Sequence, residues 1–174
     1  AALFMAKTVT LYTRALRDKL PPGQTFTMMN DILAENNDAC MFVTALCGSI
    51  DLKTGSAVMS NAGHMDPIMH DSGNTRGHEI KGAIALGLMD AVEYPDVEFQ
   101  LGHNTSLIMY TDGISEAHDA DNRQYTDERL IDLITNIGTS NSEETGRKII
   151  DSVDSFAGDA EQFDDITLFI IRYQ

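Results

Sequence analysis

The spacing of apolar residues changes three times along this chain of 174 residues, from helical to strand-like near residue 41, back to helical near residue 126 and to strand-like again near residue 166. The first 20 residues predict a helix, since Leu3, Met5/Ala6, Val9, Tyr12/Thr13 and Leu16 recur at helical spacing. Pro21-Pro22-Gly23 ends that helix, and a second one is predicted over about residues 26–37, with Thr25 as its cap.

The middle of the chain has the short apolar runs and turn residues of successive strands. Strands are predicted over residues 41–50, 56–60, 67–70, 92–101 and 105–110. Two amphipathic helices follow, the first starting at Thr126 and the second capped by Ser140 or Ser142. The last strand is predicted over residues 166–172, and its apolar character on both faces predicts a central place in its sheet.

This order of elements predicts the fold class. Sequential strands joined by hairpins form antiparallel sheets, and amphipathic helices pack outside them. The sequence therefore predicts an α+β fold with two antiparallel sheets, and the length suits one domain with a sizeable core.

The charge balance excludes several kinds of partner. The chain has 12 Lys and Arg against 27 Asp and Glu, a formal net charge of −15, which argues against nucleic acid or an anionic membrane as the main partner. No apolar run approaches the ~18 residues of a membrane span, and no signal peptide is recognisable, so we expect a cytoplasmic domain. Cys40 and Cys47 are expected to be reduced thiols on opposite faces of one strand, and no cysteine or histidine pattern indicates zinc.

Acidic residues stand beside two of the predicted strands. Asp164 and Asp165 precede the apolar run 166–171, and Asp112-Gly113 follows the apolar run 107–110. Carboxylates buried next to a core would be costly, and two adjacent ones would repel each other, whereas a bound cation removes both problems. If the two strands are neighbours, the acids converge, and oxygen ligands of this kind favour Mg²⁺, Mn²⁺ or Ca²⁺. Taken singly, Asp-Gly is an ordinary turn and Asp-Asp an ordinary strand cap.

These segments together resemble a known family. Residues 110–117 (YTDGISEA) and 164–167 (DDIT) are similar to two motifs of the metal-dependent protein phosphatase 2C-like serine/threonine phosphatases, most closely the bacterial SpoIIE/RsbU-like branch. Residues 61–64 (NAGH) match a third motif, and residues 1–6, 41–44 and 124–130 also fit, in the family's order. The resemblance implies two antiparallel sheets packed as a sandwich, with a helix pair outside each.

The resemblance also implies the chemistry of the site. Two divalent cations, Mn²⁺ or Mg²⁺, would be held by aspartates and would activate a water that attacks the phosphorus of a phosphoserine or phosphothreonine. Asp112 and Asp164 would be metal ligands. Asp165 would orient these ligands without itself binding the metal, and Gly113 would allow the backbone to approach the metal closely.

A second group of residues is implied to lie near the metals. Asn61 and His64 would belong to the catalytic machinery, and Gly63 would line the substrate site. His64 would donate a hydrogen bond to the phosphate or a proton to the leaving group, or would only fix its loop. The other four histidines, His70, His78, His103 and His118, are expected at the surface.

One family feature is missing from residues 1–174. The first metal motif, of the form D-x-S-G-H/K-G, is expected just before Ala1, together with strands that complete the sheets. We therefore expect a single phosphatase domain over residues 1–174 that is truncated at its N-terminus and has about half of its metal site.

Three functions remain open on this sequence. The first is a phosphatase acting on a phosphorylated protein, which the resemblance implies to be an anti-sigma-factor antagonist in a partner-switching circuit. The second is a catalytically silent module of the same fold that docks a regulatory protein. The third is a structural cation site that only stabilises the fold. The helix pair over residues 1–37 could also pack against a second copy of the chain, forming a homodimer.

Overall fold

The computed structural model describes residues 1–139, 141–162 and 164–174. This part of the chain has five helices and seven strands. In chain order they are α1 (Ala2–Asp18), α2 (Pro22–Ala34), β1 (Ala45–Ile50), β2 (Ser56–Ala62), β3 (Ile68–Asp71), β4 (Asn74–Gly77), β5 (Val97–Gln100), β6 (Ser106–Tyr110), α3 (Asp112–Ser115), α4 (Asp127–Ile137), α5 (Ser142–Ala157) and β7 (Leu168–Arg172). They divide into two compact units, residues 1–64 with 80–100, and residues 65–79 with 101–174.

The first unit is a three-stranded antiparallel sheet with two helices. Its strand order is β1-β2-β5, with Cys47 opposite Ser60 and Val58 opposite Glu98. Helix α2 contacts both β1 and β2, and α1 contacts α2. The buried core of this unit consists of Phe26, Met29, Leu33, Cys47, Ala62, Leu86 and Tyr94.

The second unit is a four-stranded antiparallel sheet with two long helices. Its strand order is β4-β3-β6-β7, and Ile108 of β6 lies between Ile68 of β3 and Ile170 of β7. Helix α4 contacts β3 and β4, and α5 contacts β7 and α4. Apolar residues from the sheet and helices form one core that includes Ile68, Ile108, Tyr110, Ile114, Leu130, Ile134, Ile149 and Val153.

The predicted α+β class, with two antiparallel sheets and flanking helices, is confirmed. The two helices predicted at the N-terminus and the two predicted after residue 126 are present. None of the helices in the described ranges combines the length and the apolar character that crossing a membrane would require.

The predicted apolar stripe of α1 is wrong except at Tyr12, which packs against the core. Leu3 is 85% exposed and Leu16 is 55% exposed, while Thr8 and Ala15 are buried and Phe4 packs against the core. Both sides of this helix carry apolar residues at helical spacing, so periodicity identified the helix but did not identify its buried side.

The predicted start of α2 is also wrong, by about four residues. The helix begins at Pro22, with Pro21 as its N-cap, and Thr25 lies inside it. Proline is well suited to the first turn, because the N–H that it lacks has no partner within the helix there. The proline pair therefore starts a helix as well as ending the previous one.

Several strand predictions need correction. The last strand is not central, since β7 lies at the edge of its sheet in the described chain and Phe169 is 59% exposed. The predicted strand 92–101 is reduced to Val97–Gln100, as expected after Pro95, which cannot donate to a ladder. Strand β4 and the short helix α3 were not predicted.

Three single-residue predictions differ from the structure. Helix α5 is capped by Asn141, whose side chain accepts a hydrogen bond from the Glu144 amide at 2.9 Å. Of the two serines predicted for that role, Ser142 is the first helical residue and Ser140 lies outside the described residues. Cys40 precedes β1 and is exposed, whereas Cys47 lies within it and is buried; both are free thiols. His70, predicted at the surface, is buried in β3.

Candidate active site

The first acidic segment lies where β6 ends. Strand β6 stops at Tyr110, Thr111 has extended backbone angles, and α3 begins at Asp112. The Asp112 side chain is exposed, while Gly113 behind it is buried. The segment therefore presents a carboxylate to solvent from the end of a buried strand.

The second acidic segment precedes β7. Asp164 and Asp165 are both exposed, and the Asp165 amide donates a hydrogen bond to the Asp164 carboxylate at 2.7 Å. The Gln162 side-chain amide donates to the Asp164 carbonyl at 2.8 Å. Phe163, which stands between them in the sequence, lies outside the described residues.

The two acidic segments are in direct contact. Strands β6 and β7 are paired, and the Thr111 amide extends this pairing by donating to the Thr167 carbonyl at 3.1 Å. The Thr111 hydroxyl donates to the Asp165 carbonyl at 2.9 Å and accepts from the Thr167 amide at 2.9 Å. Gly113 lies so close to the Asp165 carbonyl that a Cβ atom would be 2.6 Å from its oxygen. The main chains of the two segments therefore pack together without an intervening side chain.

This arrangement supplies the right kind of metal ligand, but too few of them. Carboxylate oxygens at the surface suit Mg²⁺ or Mn²⁺. However, over residues 1–139, 141–162 and 164–174 no group of three Asp, Glu, His or Cys side chains is close enough to hold an ion. The expectation of costly buried carboxylates is wrong, because Asp112, Asp164 and Asp165 are all exposed and keep their hydration. A complete site would need further ligands.

Tyr110 lies behind the first acidic segment and was not predicted as part of the site. Its hydroxyl donates to the Asp127 carboxylate at 2.8 Å, at the start of α4. Burial, followed by the hydrogen bond to Asp127, raises the pKa of Tyr110 well above its usual range. This bond ties the end of β6 to α4 and helps to fix the point at which Asp112 emerges.

The predicted Asn-Ala-Gly-His motif lies in the first unit, at the end of β2. Asn61 is buried, its side-chain Oδ1 accepts from the His64 amide at 2.8 Å, and its side-chain NH₂ group donates to the His64 carbonyl at 3.0 Å. Gly63 has a φ of +67°, a left-handed conformation that favours glycine. Asn61 therefore holds the backbone of the loop, which is a positioning role.

The His64 ring is half-buried and lies beside a hydroxyl group. Its Nδ1 atom is 3.3 Å from the Thr44 Oγ1 atom. Thr44 lies in segment 41–44, which is part of the family resemblance, but the sequence does not place it beside His64, because the two residues lie 20 positions apart in the chain.

The fold defined by these two sheets is that of the PP2C-like phosphatase domains. The SiaA-PP2C domain of Pseudomonas aeruginosa superposes with a TM-score of 0.85 at 18% sequence identity, covering 99% of this chain and 70% of that one. At this identity the likeness establishes the fold.

The chain belongs to the SpoIIE (Stage II sporulation protein E) family, whose family model matches residues 1–174. Two similar proteins are protein IcfG from Synechocystis, 28% identical over 149 residues, and the phosphoserine phosphatase RsbU from Bacillus subtilis, 23% identical over 161 residues. These alignments cover 83% and 89% of this chain, but only 23% of IcfG and 48% of RsbU. The chain thus spans less than half the length of either relative.

Proposed function

We propose that this chain is the catalytic domain of a metal-dependent serine/threonine protein phosphatase. The observation that carries the proposal is the packing of the Asp112 segment against Asp164 and Asp165 through Thr111 and Gly113. Membership of the SpoIIE family and similarity to a phosphoserine phosphatase support the same reaction.

Within this proposal, the acids hold one or both of two divalent cations, Mn²⁺ or Mg²⁺. Asp112 and Asp164 are the proposed ligands, and Asp165 supports the segment that carries Asp164. A bound cation supplies a Lewis acid that makes a water molecule nucleophilic near neutral pH. Because the described acids are too few to complete the site, the missing ligands are proposed to come from a D-x-S-G-H/K-G motif upstream of residue 1 in a longer protein, of which residues 1–174 form part of a single domain.

The experiment that tests the proposal measures Mn²⁺-dependent phosphate release from a phosphoprotein. It compares this chain, a longer chain that includes the upstream motif, and the longer chain with Asp112→Asn. Activity that depends on Mn²⁺ and on Asp112 supports the proposal. Activity that survives the substitution unchanged contradicts the assigned site.

For His64 we retain the hypothesis that it donates a proton to the leaving group. Loss of a general acid slows esters with poor leaving groups, such as phosphoserine, far more than esters with good leaving groups, such as nitrophenyl phosphate. His64→Gln should therefore affect the phosphoserine substrate selectively. An equal loss on both substrates would instead indicate the loop-fixing role.

The proposed substrate is a phosphoserine or phosphothreonine on a protein of the anti-sigma-factor antagonist type, met in the cytoplasm. We also propose that the helix pair over residues 1–37 packs against a second copy of the chain, forming a homodimer. Dephosphorylation of a panel of phosphorylated antagonist domains tests the first point. Sedimentation of the purified chain tests the second.

The alternative function is a phosphatase-fold module that docks a regulatory protein without turnover. The absence of a three-ligand metal group from the described residues favours it. Calorimetric titration of the longer chain with Mn²⁺ distinguishes the phosphatase from the docking module. A docking module has no need to bind the ion, whereas the phosphatase must bind it.

A further inference from the structure

The Thr111 hydroxyl does not do what its position in the chain suggests. Thr111 is the N-cap residue of α3, where a threonine hydroxyl usually accepts a hydrogen bond from an amide of its own first turn. In this helix no side-chain cap bond is formed. The hydroxyl turns away and bonds to the backbone on either side of Ile166.

Both hydrogen-bonding functions of the hydroxyl are used in this contact. Its proton goes to the Asp165 carbonyl at 2.9 Å, and one of its lone pairs accepts the Thr167 amide at 2.9 Å. The Thr111 amide adds a third bond to the Thr167 carbonyl. Thr111 immediately precedes Asp112, and its three hydrogen bonds thus hold the segment that carries Asp165 next to Asp112.

We propose that Thr111 is the positioning residue of the metal site, holding the Asp164-Asp165 segment in register with Asp112. This inference rests on the proposed function. The hydroxyl does not touch the metal; it acts by fixing the two backbone groups that determine where the carboxylates lie. Groups that orient metal ligands in this way typically contribute 10–100-fold to metal affinity.

The Thr111 contact holds an exposed segment that precedes strand β7. Asp164, Asp165 and Thr167 are exposed, and strand β7 begins only at Leu168. Apart from the Thr111 bonds, the segment packs against Gly113 and has local contacts, such as the bond from the Gln162 side chain to the Asp164 carbonyl. Without the hydroxyl, water can satisfy the Asp165 carbonyl and the Thr167 amide, so the chain keeps its fold. The segment then keeps only the Thr111 amide bond, the Gly113 packing and its local contacts, and is held less firmly.

The test compares Thr111→Val with Thr111→Ser. Valine keeps the shape of threonine and loses both hydroxyl bonds, whereas serine keeps the hydroxyl. Mn²⁺ affinity is measured by calorimetry on the longer chain with the upstream motif, and circular dichroism checks that each variant is folded. We expect a 10–100-fold weaker Mn²⁺ affinity for the valine variant and near-normal affinity for the serine variant. Equal affinity in the valine variant, or an equal loss in both variants, would overturn the proposal.

A second readout decides the question without metal. Exchange of the Thr167 amide hydrogen is followed by NMR on the 174-residue chain. Faster exchange in the valine variant, with protection retained in the serine variant, supports the proposed role of Thr111, and unchanged exchange overturns it. If the unsubstituted longer chain binds no Mn²⁺, the proposed function fails, and the exchange measurement still decides whether Thr111 holds the segment.

Discussion

The carbonyl oxygen of Asp165 occupies the space beside Gly113 that a side chain would need, 2.6 Å from the ideal position of a Cβ atom. A second carbonyl, that of Asp164, lies 3.3 Å from the same position. Both obstacles are backbone atoms, which cannot rotate away as a flexible side chain could. A glycine is therefore required where the two acidic segments meet.

Gly113→Ala should displace the Asp164-Asp165 segment. We expect Mn²⁺ affinity to fall by about 10–100-fold, as for other changes that misplace ligands, together with a modest loss of stability. Gly77→Ala is the matched control, because a Cβ there meets nothing within 4 Å. Calorimetry on both variants checks the prediction, and equal Mn²⁺ affinity in the two would contradict it.

Asn61→Ala should destabilise the loop before His64. The Asn61 side chain is buried and satisfies both the amide and the carbonyl of His64. Leaving buried polar groups without partners costs about 1–3 kcal/mol. Urea denaturation measures the change, with Asn74→Ala in an exposed hairpin as control. A free energy of unfolding as little changed as in the control would show that the loop does not depend on Asn61.

Leu130→Ala should lower the free energy of unfolding by about 2–5 kcal/mol, because it opens a cavity in a fully buried part of the core. Leu52→Ala removes the same atoms from a side chain that is 79% exposed, so its cost should stay within about 0.5 kcal/mol. Thermal or chemical denaturation compares the two. Similar losses would place Leu130 outside the core.

The protein should become less stable in mild acid, because His70 then takes up a proton. Burial lowers the pKa of His70, and the nearby Arg172 lowers it further, while Asp71 raises it. The folded state thus prefers the neutral imidazole, whose Nδ1 lies 2.8 Å from the Thr75 hydroxyl. The resulting stability is complete above the unfolded pKa of about 6.5 and is lost as the pH falls below it.

His70→Gln should therefore reduce the slope of unfolding free energy against pH below about 6.5. The slope should not vanish, because burial also lowers the pKa of His78. The control is His103→Gln, at an exposed turn position. An unchanged slope in the His70 variant would rule out this contribution.

The sequence predicted those parts of the fold that depend on local patterns. Helices α4 and α5 have an unambiguous apolar stripe, and β6 is an apolar run closed by Thr111-Asp112-Gly113. Predictions failed where the apolar pattern was compatible with two arrangements in the fold. The N-terminal helix has apolar residues on two sides, and only the packing of Phe4, Leu11 and Tyr12 on the core shows which side is buried.

Tertiary placement was the part that local patterns could not determine. An apolar strand such as β7 can be covered by a helix, here α5, and still lie at the edge of its sheet. His70 is buried because its neighbours across the sheet, Thr75 and Ser106, are brought there by pairing of β3 with β4 and β6. These contacts join distant residues, so no single stretch of sequence shows them.

The sequence indicated which residues belong to the candidate site, but not the contacts that hold their segments together. Asp112 and Gly113 were singled out together with Asp164 and Asp165, and the segments that carry them do meet. The hydrogen bonds of the Thr111 hydroxyl were not predicted, since Asp-Gly after a strand indicates only a turn. The bond from this hydroxyl to Asp165 crosses 54 residues of chain.

The most direct test of the central claim is Mn²⁺-dependent hydrolysis of an aryl phosphate by this chain, by a longer chain that includes the proposed upstream metal motif, and by that longer chain with Asp112→Asn. We predict Mn²⁺-dependent activity in the longer chain and at least about a 100-fold loss on substitution, since a ligand should matter more than the groups that orient it. The chain of 174 residues should show little or no activity. No Mn²⁺-dependent activity in either unsubstituted chain would contradict the phosphatase assignment; if Mn²⁺ still raised the melting temperature, the structural cation site would be favoured, and otherwise the docking module.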